Sequence, residues 1–339
     1  MTGRMRVGLF ITNQHYLDKD MVSAFDEQIA MVRMARDFGW DSLFSGQHYL
    51  NEGNNVSLQA VPLLARLAAE AGQMSVGLGV LLLPLHNPVY VAETVASLDV
   101  ICRGNFVLGV GLGYREVEFA AFGVPKAQRA RRFEECLALV RRLWTEEEVT
   151  FDSAYCRLER VHMNLRPVQK PYPPIWIGGN NEPAIRRAAR LGDAWFTNPS
   201  APVAVLAKQM AAYRAERAQA GRPAPKEIAC FREVFCARDR RAALEAAGPS
   251  LAAKYQSYAR WGQDPVTPGA PFAGPVEEMA GDAFVVGSPE ECFRALERLV
   301  KMGFNHLVLR NHWPGLPLSA ALGSMRLLAG EVLPALRNA

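Results

Sequence analysis

The sequence lacks the features that mark several specialised classes of protein. Its 339 residues include six cysteines but no C-x-x-C pair, which argues against a disulfide scaffold and favours reduced thiols in the cytoplasm. No run of 18 apolar residues occurs, and the short N-terminal apolar run is unlike a signal peptide. The net charge of +4 is small and dispersed. We therefore expect a cytoplasmic globular protein that binds neither membrane nor nucleic acid.

Short motifs of several common enzyme classes are missing as well. The chain has no G-x-S-x-G, no P-loop and no H-E-x-x-H, so hydrolysis by a nucleophile elbow or a zinc ion is unsupported. The run GVGLGY carries Tyr114 where a dinucleotide fingerprint requires its third glycine. The loop histidines lack the close spacing to other His, Cys or carboxylate residues that metal sites show, so we expect no metal.

What the chain does contain is a regular alternation of apolar, strand-like runs with segments of helical spacing. This alternation predicts parallel strands that are joined by right-handed helical crossovers. The eight predicted strands are 6–12, 41–45, 75–83, 105–110, 175–177, 194–196, 227–237 and 306–309. We therefore predict a single α/β domain over residues 1–339, a (β/α)8 TIM barrel. A doubly wound open sheet is the alternative, but that fold usually has a dinucleotide fingerprint near its first strand, and none occurs there.

Two segments interrupt this alternation. Residues 149–170, after the fourth predicted helix, begin with an alternating pattern that turns at Asp152–Ser153, which predicts a hairpin insertion. Residues 261–282 are rich in proline and glycine and predict a long irregular loop. In a compact domain such a loop is often a lid over a binding site.

The functional residues of a TIM barrel lie in the loops that follow its strands. After the fourth strand, Gly111 and Gly113 let the backbone come close to a ligand, although packing at the rim explains them equally well. After the fifth strand, the run IGGNNEP (residues 177–183) places two glycines and two asparagines before a helix. Because amides at a helix N-terminus attract anions, and a simple cap needs no glycine pair, this run favours an anion site.

The tetrapeptide QHYL occurs twice, at 14–17 and 47–50, each time after a predicted strand. The sequences that flank the two copies differ, so we interpret them as two neighbouring loops that face one pocket. His15 and His48 belong to these loops, and His86 and His312 follow the third and eighth strands. A loop histidine is more often structural than catalytic, but four on one rim favour proton transfer in the pocket.

Several long stretches resemble the bacterial luciferase-like superfamily, whose members are flavin- or deazaflavin-dependent TIM-barrel oxidoreductases. The similarity extends from about residue 5 to residue 336. The stretches that carry it are LPLHNPVYVAETVASLDVICRGNFVLGVGLGYREVEFAAFGVP, RRFEECLALVRRLW, RPVQKPYPPIWIGGNNEPAIRRAARLGDAW, FVVGSPEEC and EVLPALR.

The resemblance implies that reduced FMN, or alternatively the deazaflavin coenzyme F420, binds in the barrel mouth. His48 is similar to the catalytic histidine, whereas Gln47 and Tyr49 differ from the Glu and His of luciferases and argue against their aldehyde reaction. Leu112 replaces the phosphate-binding arginine, with Arg115 as a substitute. The residues expected at the cofactor are Gly79 and Val80 at a non-prolyl cis peptide, and Gly113, Tyr114, Arg115, Gly178, Gly179, Asn180 and Asn181 at the phosphate.

Three functions are compatible with this resemblance. The first is a two-component monooxygenase that takes reduced FMN from a separate reductase and oxygenates a small organic substrate. The second is an F420-dependent hydride-transfer enzyme, and the third is a non-catalytic flavin-binding protein. We expect a homodimer and a substrate pocket that is formed by Phe10, His15, Tyr49, His312 and Trp313.

Overall fold

The computed structural model describes residues 4–262 and 275–338, and within them eight parallel strands close into a barrel. These strands are β1 (Arg6–Phe10), β2 (Ser42–Ser45), β3 (Ser75–Leu78), β4 (Phe106–Gly111), β5 (Ile175–Gly178), β6 (Ala194–Phe196), β7 (Ala229–Cys236) and β8 (His306–Arg310). β8 pairs with β1, and β4 pairs with β5, so that no edge remains between the two halves of the chain. The predicted TIM barrel is confirmed, and the open-sheet alternative is wrong.

Helices follow the strands and cover the outside of the barrel. They are α1 (Met21–Asp37), α2 (Ala60–Ala71), α3 (Pro88–Ile101), α4 (Glu116–Ala121), α5 (Arg129–Thr145), α6 (Glu182–Leu191), α7 (Val203–Gln219), α8 (Arg240–Arg260), α9 (Val276–Met279), α10 (Pro289–Met302), α11 (Leu318–Leu327) and α12 (Leu333–Asn338). Local sequence explains where several of them begin. Ser288 and Glu291 form a capping box at α10, and Asp20 caps α1 through the amide of Ser23.

The side chains of the strands alternate between two separate hydrophobic cores. In β1, Val7 and Leu9 face the helices, whereas Phe10 faces the barrel interior. The interior core contains Phe10, Phe44, Val107, Trp176, Ala194, Phe196, Ala229, Phe231 and Val308. This aromatic layer fills the barrel below its C-terminal mouth, so that a ligand would rest on top of it.

Short strands depart from the predicted pattern. The run predicted as one strand at 75–83 is interrupted after β3, and only Leu81–Leu82 pairs again with β4. An unpredicted strand, Val285–Gly287, pairs with β7, and Gln14–His15 pairs antiparallel with Val56–Ser57. The predicted hairpin insertion is confirmed, because Val149–Asp152 pairs antiparallel with Arg157–Val161.

The predicted lid at 261–282 lies mostly outside the described residues, because residues 263–274 are not among them. Of the part that is described, Trp261 and Gly262 end α8, and α9 precedes the strand Val285–Gly287. Among the helices of the described ranges, none combines the length and the apolar character needed to cross a membrane.

A close backbone contact between β3 and β4 explains one glycine and gives a prediction. A Cβ atom at Gly109 would lie 1.8 Å from the carbonyl oxygen of Leu78. Gly109→Ala should therefore lower the free energy of unfolding by about 3 kcal/mol or more, measured by urea denaturation. In the control Gly323→Ala, within α11, the added methyl meets no atom within 4 Å and should stabilise by about 0.5–1 kcal/mol. If Gly109→Ala had the same free energy of unfolding as the wild type, β3 and β4 would not approach so closely.

Candidate active site

A cavity of about 380 Å³ opens at the C-terminal mouth of the barrel, above the aromatic layer. Loops from both halves of the chain form its wall, since the closure of the sheet places all of them on one rim. The residues of this wall include Phe10, Gln14, Gln47, His48, Gly79, Val80, Gly113, Tyr114, Arg129, Gly178, Gly179, Asn180, Asn181, Lys254, Tyr258 and Arg310.

His48 is held in one orientation by a buried carboxylate. Its Nδ1 lies 3.1 Å from Oε1 of Glu118, a fully buried side chain on α4, and the same oxygen accepts the backbone N–H of Tyr49 at 2.8 Å. Because an ionised carboxylate only accepts hydrogen bonds, Nδ1 of the neutral ring carries the proton. Nε2 is then the nitrogen that can accept a proton from a ligand.

Tyr114 and Trp261 surround the imidazole of His48. Both rings meet it edge-on, with centroids 5.7 Å from that of the imidazole. Side chains packed in this way restrict the ring to the orientation that the Glu118 contact selects.

Gly79 and Val80 are joined by a cis peptide bond, as the resemblance implied. The amide of Gly79 donates to the carbonyl of Ser45, which ties the end of β3 to β2. A Cβ atom at Gly111 would lie 2.7 Å from Val80, so the glycine there leaves room for the valine side chain. Val80 thereby becomes an apolar part of the cavity wall.

The two glycine-containing loops lie side by side because β4 and β5 are neighbours. Gly113 adopts a φ of 76°, which an L side chain rarely adopts. Asn181 caps α6 by accepting the amide of Ala184 at 3.0 Å, and Gly179 packs against the same residue. These loops place backbone amides and a helix N-terminus at one end of the cavity, an arrangement that attracts anions.

A buried group of charges lies at the mouth of the barrel, on β7, β8 and α8. Arg310 forms an ion pair with Glu233 and lies over the rings of Phe10 and Phe231, 5.2 and 4.8 Å from their centroids. Glu233 also accepts hydrogen bonds from Tyr255 and Trp313. Lys254 is buried beside them, and burial lowers its pKa well below the usual value.

Comparison with known proteins identifies the family. Residues 5–306 match the model of the luciferase-like monooxygenases. The chain belongs to this family. Over 320 residues it is 29% identical to an F420-dependent glucose-6-phosphate dehydrogenase of Microbacterium testaceum, covering 90% of this chain and 91% of that protein. The alignment with another curated relative covers only 49% of that relative.

Solved structures of similar proteins extend the comparison. A monooxygenase from Streptomyces bottropensis superposes with a TM-score of 0.85 at 25% identity, covering 98% of this chain and 99% of that one. The oxygenating constituent of 3,6-diketocamphane monooxygenase from Pseudomonas putida, in complex with FMN, superposes with a TM-score of 0.84. The two chains are 20% identical over 98% of this chain and 99% of the other, so this similarity supports only the barrel fold.

Most of the residues that the sequence suggested for a luciferase-like site lie on the cavity wall. His48, the Gly79–Val80 pair and Phe10 are among them, together with both glycine loops. The structure therefore brings together residues from five strands of the barrel or from the loops that follow them. Their contacts with a cofactor or a substrate stay predictions.

Arg115, which was predicted to lie at the phosphate, is not part of the cavity wall formed by the described residues. The side chain is 2% exposed, donates to the carbonyls of Tyr49 and Leu50, and lies 3.5 Å from Glu118. Its guanidinium also covers the ring of Trp261 at 4.5 Å. These contacts hold the loop around His48, and a role of Arg115 at the phosphate stays a prediction.

Four residues predicted for the substrate pocket do not belong to the cavity wall formed by the described residues. His15 accepts a hydrogen bond from Gln28 beneath the rim, and Tyr49 packs against Phe122 with ring centroids 4.7 Å apart. His312 donates to the carbonyl of Leu316, while Trp313 is buried against Glu233. In the described residues these side chains contact other parts of the protein, and their contact with a substrate stays a prediction.

Sequence reasoning missed Glu118, Arg129, Glu233 and Lys254 as parts of the site. Glu118 carried a weak signal, since it follows the fourth strand within the glycine-containing loop region. Lys254 gave none, because it lies in the last two turns of a 21-residue helix, far from any strand end. Arg129, at the start of α5, belongs to the basic run RARR, a pattern that is typical of a solvated helix face, but it lines the cavity.

Two buried histidines near the site predict how stability depends on pH. Burial, the main cause, lowers the pKa of His15 and of His86 to about 4. Both side chains stay neutral in the folded protein below pH 6.5, where the unfolded chain becomes protonated. The free energy of unfolding should therefore fall as the pH drops from 6.5 to 4, by on the order of 3 kcal/mol for each histidine.

Urea denaturation at several pH values tests this expectation. Replacing either residue, in His15→Gln or His86→Gln, should flatten the slope of stability against pH in that window. His162→Gln is the control, because that side chain is 54% exposed. An unchanged slope in both buried variants would mean that neither histidine is held neutral by the fold.

Proposed function

We propose that this protein is the oxygenating component of a two-component monooxygenase. It would bind reduced FMN from a separate reductase and use O2 to oxygenate a small organic substrate. The observation that carries the proposal is that one cavity contains the apolar wall at Val80, two anion-attracting glycine loops and the His48 ring that Glu118 orients. The structural similarity to monooxygenases supports it.

The residues of the cavity fit a flavin mononucleotide. Its apolar wall at Phe10, Val80 and Leu82 suits a flat ring system, and its polar end at residues 178–181 suits a phosphate. Arg129 is the cation that we assign to the phosphate in place of Arg115. Bound reduced FMN would supply the electrons that activate O2.

The chain's own contribution is to hold the reactants and to move a proton. His48, fixed through Nδ1, presents Nε2 for proton exchange with a ligand in the cavity. Glu118 stabilises the ring when it becomes charged, because the carboxylate lies at hydrogen-bond distance. The aromatic layer below the mouth excludes water from that side, which favours oxygen transfer over loss of the activated oxygen.

A second candidate is hydride transfer with F420, because the relative from Microbacterium testaceum is F420-dependent. Arg129, at the mouth, would suit the acidic tail of that cofactor. Under this candidate O2 would have no part in the reaction, and a reductase that supplies FMN would not be needed. The two candidates therefore differ in which cofactor the purified protein binds.

Fluorescence titration of the protein with reduced FMN and with F420 separates the two candidates. We expect FMN to bind more tightly, and Arg129→Ala to weaken FMN binding by roughly tenfold through the loss of a charge-assisted contact. Riboflavin, which lacks the phosphate, should bind the wild type and Arg129→Ala with equal affinity. Arg131→Ala is the control, since its side chain is 70% exposed. Tighter binding of F420, with no reaction toward O2, would contradict the monooxygenase.

The Glu118–His48 pair gives a second test of the mechanism. Glu118→Gln should slow the proton-dependent reoxidation of bound reduced FMN by O2, by about 10-fold to 100-fold, and His48→Asn by at least as much. FMN affinity should stay within about twofold, because neither residue is assigned to FMN binding. The measurement is stopped-flow absorbance.

Nitrogen NMR shifts of the histidines add a readout that does not depend on turnover. In the wild type we expect the Nδ1–H form of His48, and in Glu118→Gln a mixture of both forms. Glu116→Gln is a matched control on the same helix, because that side chain is 74% exposed. Equal rates and equal shifts in the wild type and Glu118→Gln would refute the role of the carboxylate.

A further inference from the structure

The mouth of the barrel contains a buried amino group that the proposed chemistry does not use. Lys254 is 5% exposed and contributes to the cavity wall. Within residues 4–262 and 275–338, its Nζ has no hydrogen-bond partner. Its Nζ lies 5.4 Å from the centroid of the Tyr258 ring, a cation–π contact that supplies no hydrogen-bond acceptor. A buried amine without an acceptor costs free energy, so the position calls for a physical explanation.

The neighbouring carboxylate cannot serve as that partner. Glu233 accepts four hydrogen bonds: two from Arg310, one from Tyr255 at 2.8 Å and one from Trp313 at 2.7 Å. Two of them reach each oxygen, and a carboxylate offers about four acceptor positions. Glu233 is therefore saturated, and Lys254 is left without an acceptor.

The charges of this group balance only while the amine of Lys254 is neutral. Arg310 and Lys254 can carry two positive charges and Glu233 one negative charge, all of them buried. The remaining titratable groups that face the amine are Tyr255, Tyr258 and His312. Burial raises the pKa of both tyrosines and lowers that of His312, so these three side chains are neutral near pH 7. A single negative charge from outside the chain would complete the group.

We propose that Lys254 is the anchor for a substrate that is an organic monoanion, a carboxylate or phenolate with an apolar body. The inference rests on the proposed function, because it places this substrate in the same cavity as the cofactor. Arg310 is held by Glu233, so one ammonium remains for one oxyanion. The apolar body is expected because Phe10 and Phe231 form the wall beside these charges.

The binding of such an anion would be linked to protonation of the amine. Burial and the nearby Arg310 lower the pKa of Lys254, so the free protein loses its ammonium at a lower pH than an ordinary lysine does. An oxyanion binds the charged form and favours it. Affinity should therefore fall as the pH rises through the pKa of the amine, and binding should take up a proton in that range.

Isothermal titration of the full chain with benzoate tests the proposal, and benzamide is a neutral probe of the same shape. Benzoate should bind at least about tenfold tighter than benzamide, and Lys254→Met should lose that preference. The heat measured in buffers of different ionisation enthalpy reports the proton uptake. Lys208→Met, at an exposed position on α7, should behave like the wild type.

Several results would overturn the proposal. Equal affinity of the wild type for benzoate and benzamide would do so without any variant, even if Lys254→Met failed to fold. The proposal would also fail if Lys254→Met, shown by circular dichroism to be folded, still preferred benzoate to benzamide. Preferred binding of inorganic phosphate would assign a dianion instead.

Titration of each protein with reduced FMN separates this proposal from the proposed function. If FMN binds and benzoate does not, only the assignment of the substrate fails. If benzoate binds through Lys254 but FMN does not, the anion site stands and the monooxygenase fails.

Discussion

The pairing of β4 with β5 is the interaction on which the site depends. It closes the barrel between its N-terminal and C-terminal halves, whose strands also pair at β8 and β1. Without it, the loop of Gly113 and the loop of Gly178 would lie at opposite edges of an open sheet. Closure also fills the interior with the aromatic layer, and that layer is the floor of the cavity. The geometry of the cofactor site is thus a property of the whole barrel.

Two buried carboxylates organise the mouth in different ways. Glu233 accepts hydrogen bonds on both oxygens and fixes Arg310, Tyr255 and Trp313 in a rigid group. Glu118 uses one oxygen to hold His48, and its other oxygen has no hydrogen-bond partner in the part of the chain that the structure describes. A saturated carboxylate gives rigidity, whereas one with remaining capacity can respond when its histidine changes charge. This difference supports a structural role for the first and a role in proton transfer for the second.

The parts of the structure that local sequence controls were predictable, whereas those that depend on distant contacts were not. Apolar runs located the strands, and the run IGGNNEP marked the start of α6, where Asn181 is the cap. The position of Lys254 depends on how α8 packs over the mouth, and helical periodicity alone does not reveal this. The contacts of Arg115 could not be predicted for the same reason. A cation next to a glycine loop suggests a phosphate site. In the structure, however, Arg115 contacts Glu118 and two backbone carbonyls that the sequence does not place beside it.

The two QHYL tetrapeptides show how tertiary context decides the role of a side chain. In the first copy, Gln14–His15 forms a short antiparallel pair with Val56–Ser57, so its side chains alternate. Gln14 reaches the cavity, and His15 points to Gln28. In the second copy no strand imposes alternation, and Gln47 and His48 both reach the cavity. The same four residues thus supply a supporting histidine in one loop and a candidate catalytic one in the other, because only His48 meets a buried carboxylate that leaves its second nitrogen available.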